Sequence, residues 1–259
     1  MMRRELVAKS RTRVQVKIVA DNAALAQAAA QEFHRLAEDA IQKRGRFSVA
    51  LSGGNTPRSV NSLLATEHRE LPWDRIHVFF GDERAVPPED PDSNFGMARE
   101  SLLAHVSIPD ANIHRIRAEL EPETAARDYQ DQLRDFFHLN ANDWPRFDLV
   151  LLGLGKDGHT ASLFPGTSAL HETAHTVVAN WVERLNTFRI TLTYPVLNHS
   201  SDVIFLVAGK AKAQILADVL KPGEDRYPAQ LVLPEEGRVL WLADQEAARL
   251  LRFATPPTP

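Results

Sequence analysis

The run Leu149-Val150-Leu151-Leu152 is apolar on both faces of any strand it forms, and it ends in Gly153-Leu154-Gly155-Lys156-Asp157-Gly158. A strand with no polar side must be covered above and below, the condition of a central parallel strand with helices on either side. The surrounding chain supplies both partners. Val14, Val16 and Ile18 alternate with polar residues over Thr12 to Ala20, a half-buried strand. Asp21 is an N-cap, and Leu25, Ala29, Phe33, Leu36 and Ala40 recur at helical spacing until Gly45 closes the segment. Phe47 to Leu51 is a second strand, and Thr56 as N-cap with Pro57 at the first helical position opens a second helix.

The alternation continues along the chain. Strand-like runs lie at Arg75 to Phe80, Phe147 to Leu152, Thr176 to Ala179, Arg189 to Thr193, Val203 to Ala208 and Arg238 to Ala243. Helical patterns lie at Asn94 to His105, Glu123 to Leu139, Lys210 to Leu220 and Gln245 to Arg252. The pattern predicts an α/β layered fold with a mainly parallel central sheet. We expect a flexible tail over residues 1–12, one α/β domain over 13–253, a surface excursion from Pro222 to Pro234 and a Pro-rich disordered tail over 254–259.

Composition narrows the chemistry. The chain has 259 residues and no cysteine, which removes disulfides, thiolate nucleophiles and cysteine metal sites together. Its 30 basic and 34 acidic side chains give a net charge of −4, against the basic balance that phosphate backbones demand. No run of about twenty apolar residues offers a membrane span. We therefore expect a soluble cytoplasmic protein that meets neither nucleic acid nor membrane.

Ligands of such sheets bind at the carboxyl ends of strands. Three polar or glycine-rich turns fall there: Ser52 to Thr56, Gly81 to Arg84, and Gly153 to His159. Ser52-Gly53-Gly54-Asn55-Thr56 can cradle phosphate on free N–H groups at a helix start, or can simply be a tight turn. Gly153 to Gly158 spells the dinucleotide fingerprint, but Pro165-Gly166 follows too soon for the helix that fingerprint needs. His171-Glu172-Thr173-Ala174-His175 spells the zinc-protease pattern, yet it lies on a short connection where we expect two surface histidines.

Among ten histidines, His159 stands alone in a glycine-rich loop two residues from a carboxylate, Asp157, that could orient its ring for acid–base work. His34 and His138 fall on helical patterns and are expected to be solvated. Asp82-Glu83-Arg84 is either a solvated loop or a site lining. Arg189 and Lys212 are isolated cations that would suit a phosphorylated substrate if they met the glycine cradle.

Together these residues resemble the 6-phosphogluconolactonase family. The matching stretches are Ser52-Gly53-Gly54 with Thr56-Pro57, Asp82-Glu83-Arg84 with Val86-Pro87 and Ser93-Asn94, Gly153 through Gly166, Arg189 to Thr193, and Gly209 with Lys212. The resemblance implies a modified Rossmann-like fold and cofactor-free, metal-free hydrolysis of 6-phospho-D-glucono-1,5-lactone, with a small-molecule substrate as partner and a monomer or weak homo-oligomer. It implies His159 as general base, Asp157 as its holder and Arg84 as a stabiliser of negative charge. Ser52, Gly53, Gly54, Thr56, Asp82, Arg189 and Lys212 would bind substrate and its phosphate. Two other readings stay open: a glucosamine-6-phosphate deaminase or isomerase of the same fold, and an inactive sugar-phosphate-binding regulator. Thr160 to Leu170 carries no acid and Arg84 stands where the isomerases usually have tyrosine, which favours the lactonase.

Overall fold

The computed structural model describes residues 13–221 and 226–251. The predicted tails lie outside the described residues, as does 222–225 of the predicted surface excursion. The described chain runs β1 (Arg13–Val19), α1 (Asn22–Arg44), β2 (Phe47–Leu51), α2 (Asn55–Glu67), β3 (Ile76–Phe80), β4 (Asp82–Arg84) and α3 (Asn94–Ala98). It continues through α4 (Pro122–Phe137), β5 (Leu149–Gly153), β6 (Val177–Val182), β7 (Thr187–Leu192) and α5 (Tyr194–His199). The remaining elements are β8 (Asp202–Val207), α6 (Ala213–Val219), β9 (Arg238–Asp244) and α7 (Gln245–Ala248).

Six strands form one parallel sheet in the order β1-β9-β8-β5-β2-β3. The expected central strand is central: β5 lies between β2 and β8, and Leu149 to Leu152 are buried. The chain leaves β2 toward β3 on one side and returns through β5 on the other, so the strand order switches between β2 and β5. The crevice outside the carboxyl ends at such a switch is where this architecture binds ligands. Here it is bounded by Ser52 and by the loop that follows Gly153.

The first helix follows its sequence signals. Asp21 accepts from the N–H of Ala24 at 2.8 Å, and Gly45 closes the helix at φ 75° with its N–H on Ile41. The second begins earlier than its sequence signals suggest. Gly54 at φ 106° is the cap and the helix opens at Asn55, so Thr56 is not the N-cap. Pro57 is tolerated because first-turn N–H groups have no intrahelical partner to lose. The predicted helix from Asn94 ends as α3, and Arg99–Leu103 continues as a π-helical turn. There the Ser101 hydroxyl donates to the Met97 carbonyl at 2.7 Å and competes with the backbone ladder.

Sequence reading missed a second sheet. Strands β4, β7 and β6 form an antiparallel three-stranded sheet beside the carboxyl ends of the main one. Three charged residues carry no apolar alternation, so β4 has no strand signal of its own. Gly81 joins the sheets: its N–H donates to Leu51 at 2.8 Å and its carbonyl accepts from Leu192 at 2.9 Å.

His34 is half-buried rather than solvated, its Nδ1 2.9 Å from His68 Nδ1, whereas His138 is exposed as expected and ends α4 in the left-handed region at φ 54°. No helix of the described residues is long and apolar enough to cross a membrane.

A half-buried histidine pair edges the core. His114 stacks on Phe79 at 4.1 Å, and its Nε2 lies 3.3 Å from His77 Nδ1. Burial, then the nearby His77, push the His114 pKa from an ordinary 6.5 down to about 4. Between those values the unfolded chain binds a proton that the folded chain does not, so stability falls as pH falls through that window. Linkage alone gives a loss of about 2 kcal/mol from pH 7 to pH 5, and solvent screening of this half-buried ring leaves about 1 kcal/mol, read from denaturant midpoints. His114→Gln should lose less over the same range; equal losses in both proteins would contradict the assignment.

Candidate active site

A cavity of about 450 Å³ opens between the two sheets. Its wall brings together Ser52, Gly53, Gly54, Asp82, Arg84, His159, Arg189 and Lys212, which the sequence scatters over 161 positions, from 52 to 212. Thr56 is not in the wall; it sits in the first turn of α2 behind the glycines. Asp157 does not line it either, but stands behind His159 and holds it.

The second sheet explains how three charges become a site. Alternate residues of a strand share a face, and directly paired residues share it with them. Asp82 pairs with Thr191 and Arg84 with Arg189, so both arginines lie side by side on the cavity face. Glu83, between them, points the other way. It is buried and accepts from the N–H groups of Arg84, Asn94 and Phe95 at 2.7–2.9 Å and from the Ser93 hydroxyl at 3.1 Å. Burial outweighs these donors and raises the Glu83 pKa. Glu83 is therefore a clip on the start of α3 rather than a cavity residue.

That clip fixes Asn94, whose side-chain amide donates to the Asp82 carbonyl at 2.9 Å. Asn94 presses so closely on Gly53 that a Cβ there would stand 1.7 Å from its Oδ1. Ser52 Oγ is buried without any hydrogen-bond partner among the described residues. An orphaned hydroxyl beside two glycines, at the N-terminus of a thirteen-residue helix, is a vacant place for an acceptor oxygen.

The loop after β5 sets an imidazole against a carboxylate. The Gly155 N–H donates to the His159 carbonyl at 2.8 Å and the Gly158 N–H to Gly155 at 3.1 Å, with Gly158 at φ 77°. This tight turn sets His159 Nδ1 2.5 Å from Asp157 Oδ1. Burial raises the Asp157 pKa, but its hydrogen bond and charge contact with His159, with help from Arg184, leave it below the usual carboxylate value. For His159 burial is the larger influence and lowers its pKa, although Asp157 and Asp82 pull the other way. The result is a neutral imidazole with its proton on Nδ1, toward an ionised carboxylate. No hydrogen bond from the described residues engages Nε2, which is left to accept a proton.

Past the dyad, Ala161 is held at φ 45°, rare for a residue with a side chain. Its neighbours hold it there. Thr160 Oγ1 donates to Gly153 at 2.9 Å, Ser162 N–H to Thr191 Oγ1 at 3.2 Å and Ser162 Oγ to Asp82 Oδ2 at 2.6 Å, and Asn180 donates to the Ser162 carbonyl at 2.8 Å. This loop ties the small sheet to β5.

Electrostatically the cavity is cationic: Arg84, Arg184, Arg189 and Lys212 face one carboxylate, Asp82. Burial and the adjacent Arg84 lower the Arg189 pKa. Burial, then Lys156, lower that of Lys212, whose ammonium donates to the Leu154 carbonyl at 2.6 Å. Crowded cations favour an anionic ligand. Sequence reading missed Arg184, because a cation at a hairpin tip is ordinarily solvated. The zinc-like pattern does not form a mid-helix pair: Ser168–His171 is a short 3-10 turn, and Glu172 caps Ala174 and His175, both histidines being exposed.

Residues 20–241 match the model of the family described as glucosamine-6-phosphate isomerases/6-phosphogluconolactonase. This chain belongs to that family. A 6-phosphogluconolactonase of Synechocystis is 45% identical over 216 residues, 82% of this chain and 88% of the relative. One from Rattus norvegicus is 40% identical over 240 residues, 88% of this chain and 89% of the relative. The solved structure of the 6-phosphogluconolactonase from Trypanosoma brucei superposes with a TM-score of 0.84 at 30% identity, covering 94% of this chain and all of that one. The family's α/β fold, with its mainly parallel sheet, is the one expected from the sequence.

Gly155 is the position where this site tolerates least. A Cβ there would stand 2.0 Å from His159 Nδ1 and 2.6 Å from Asp157 Oδ1. Gly155→Ala is expected to cut turnover at least a hundredfold, since small misplacements of reacting groups cost about that much. Its thermal midpoint should stay within a few degrees of the parent. Turnover within threefold of the parent would show that the loop accommodates the methyl without moving the pair.

Proposed function

We propose that this protein hydrolyses 6-phospho-D-glucono-1,5-lactone to 6-phosphogluconate, with His159 as general base and no metal or cofactor. The observation that carries this reading is an imidazole held by a carboxylate at 2.5 Å in the wall of a cavity otherwise rich in cations. The names of the relatives support the lactone as substrate.

The phosphate occupies the cradle of Ser52, Gly53 and Gly54 at the start of α2, with Arg189 and Lys212 as its counter-charges. The ring then extends toward His159. Nε2 takes a proton from a water as its oxygen attacks C1, and the carbonyl π electrons move onto the oxygen. The imidazolium that forms is stabilised by Asp157, and Arg84 faces the negative charge of the intermediate. Collapse restores the carbonyl, breaks the bond from C1 to the ring oxygen and returns the proton to that oxygen as it becomes a hydroxyl. The acid product then ionises. Phosphate binding far from C1 positions the ester, so remote contacts contribute to the rate.

An aldose–ketose isomerisation with deamination must also open a ring and move a proton between carbons. The stretch Thr160 to Leu170 that follows the histidine has no carboxylate to share that work. The geometry therefore supports the ester hydrolysis best.

His159→Ala is expected to lower lactone turnover by about a thousandfold with the fold intact, followed by disappearance of lactone generated in situ. Near-normal turnover would place the base elsewhere. Arg189→Ala and Lys212→Ala should each raise KM for the phosphorylated lactone by about ten- to a hundredfold and leave hydrolysis of an unphosphorylated lactone nearly unchanged. Equal losses on both substrates would remove these two residues from the phosphate site. Chelators should leave the rate unchanged, and inhibition reversed by added zinc would overturn the metal-free mechanism.

A further inference from the structure

We propose that Arg184, at the tip of the β6–β7 hairpin, is a positioning residue for the acid–base pair, holding Asp157 from outside and clamping Phe164 against the imidazole. The proposal rests on the reading of His159 as the base and adds to it a residue that no motif marks.

Arg184 sits in the short 3-10 turn Glu183–Leu185 between the two strands, which Asn186 closes in the left-handed region at φ 47°. Across the hairpin, Trp181 pairs with Phe188 and meets it edge to face at 5.0 Å, so the tip is held by its own stem. From there Arg184 Nη2 reaches Asp157 Oδ2 at 2.5 Å. That oxygen is buried and has no aligned hydrogen bond from the described residues, so the guanidinium meets it as an ion pair. Asp157 thus faces His159 with one oxygen and Arg184 with the other. The same guanidinium lies over the Phe164 ring at 4.9 Å, and Phe164 lies against the His159 ring at 4.1 Å. Charge and stacking converge on one imidazole from two directions.

Two consequences follow for the base. A carboxylate pinned on both oxygens cannot rotate, so the imidazole that it orients keeps Nε2 toward the cavity. The charge of Arg184 also opposes protonation of the ring. The charged groups bearing on His159 are Asp157 from its own loop, Asp82 from β4 and Arg184 from the hairpin. Lys156 and Asp157 bear on Lys212. With burial, Arg184 keeps the ring neutral against two carboxylates. A half-exposed ion pair adds little to global stability, so its effect should fall on the reaction and not on the fold.

The test compares the parent with Arg184→Ala, Arg184→Gln and Arg184→Lys by the pH dependence of kcat/KM and by proton NMR titration of the His159 ring in the absence of substrate. In Ala and Gln the acid limb and the ring titration should both move to higher pH, by about half a unit or more. We expect kcat to fall about tenfold while KM changes less than threefold. Lysine restores the charge but not the planar stack, so the titration should return toward the parent while kcat recovers only in part. An unmoved titration with kcat within twofold of the parent would overturn the proposal. A rise in KM alone would also overturn it, making Arg184 a substrate-binding cation. If His159→Ala retained turnover in the same assay, the base assignment would fail, and the ring titration would still report whether Arg184 governs His159.

Discussion

One ionised carboxylate shared between an imidazole and a guanidinium organises this site. Asp157 sits on a turn so tight that Gly155 has no room for a Cβ, and it meets His159 and Arg184 at 2.5 Å each. Burial and the Arg184 charge keep the imidazole neutral against that carboxylate, which directs its proton to Nδ1 and fixes the ring's direction before any ligand arrives. Such preorganisation is what makes a weak base effective in a buried site. The turn itself depends on β5, whose apolar residues anchor it at the centre of the sheet.

The rest of the fold can be understood as the means of bringing cations to that imidazole. The large sheet supplies the glycine cradle after β2, the turn after β5 and, after β8, Lys212. The small sheet supplies Arg84 and Arg189 side by side, an arrangement that directly paired like charges disfavour. Hydrogen bonds of Ser162, Asn94, Asn180 and Glu83 hold the two sheets in that relation despite the repulsion. The strained backbone at Ala161 lies where these ties converge. Backbone strain and crowded charge at one locus mark a place where binding and reaction, rather than stability, set the arrangement.

Much of this was legible in the sequence because it is local. The both-faced apolar run of β5, the Asp21 and Gly45 caps and the three polar turns follow from spacing and residue type. They were enough to put Ser52, Asp82 and His159 at one edge of a sheet. The start of α2 was misplaced because Gly54, Thr56 and Pro57 all satisfy helix-start preferences, and only backbone conformation chooses among them. The small sheet was invisible for a different reason: β4 is three charged residues whose pairing is decided by β7, more than a hundred positions away. Arg184 shows the same limit. Its partners Asp157 and Phe164 are distant along the chain, and nothing in the hairpin's own residues separates it from a solvated arginine.

The central claim is that an anion anchored at the glycine cradle holds its other end against a neutral His159. A crystal structure of the complex with 6-phosphogluconate tests it most directly. The account requires the phosphate on Ser52, Gly53, Gly54, Arg189 and Lys212, with the C1 carboxylate within hydrogen-bond reach of His159 Nε2. A product bound in the opposite sense, or a phosphate seated against His159, would contradict it.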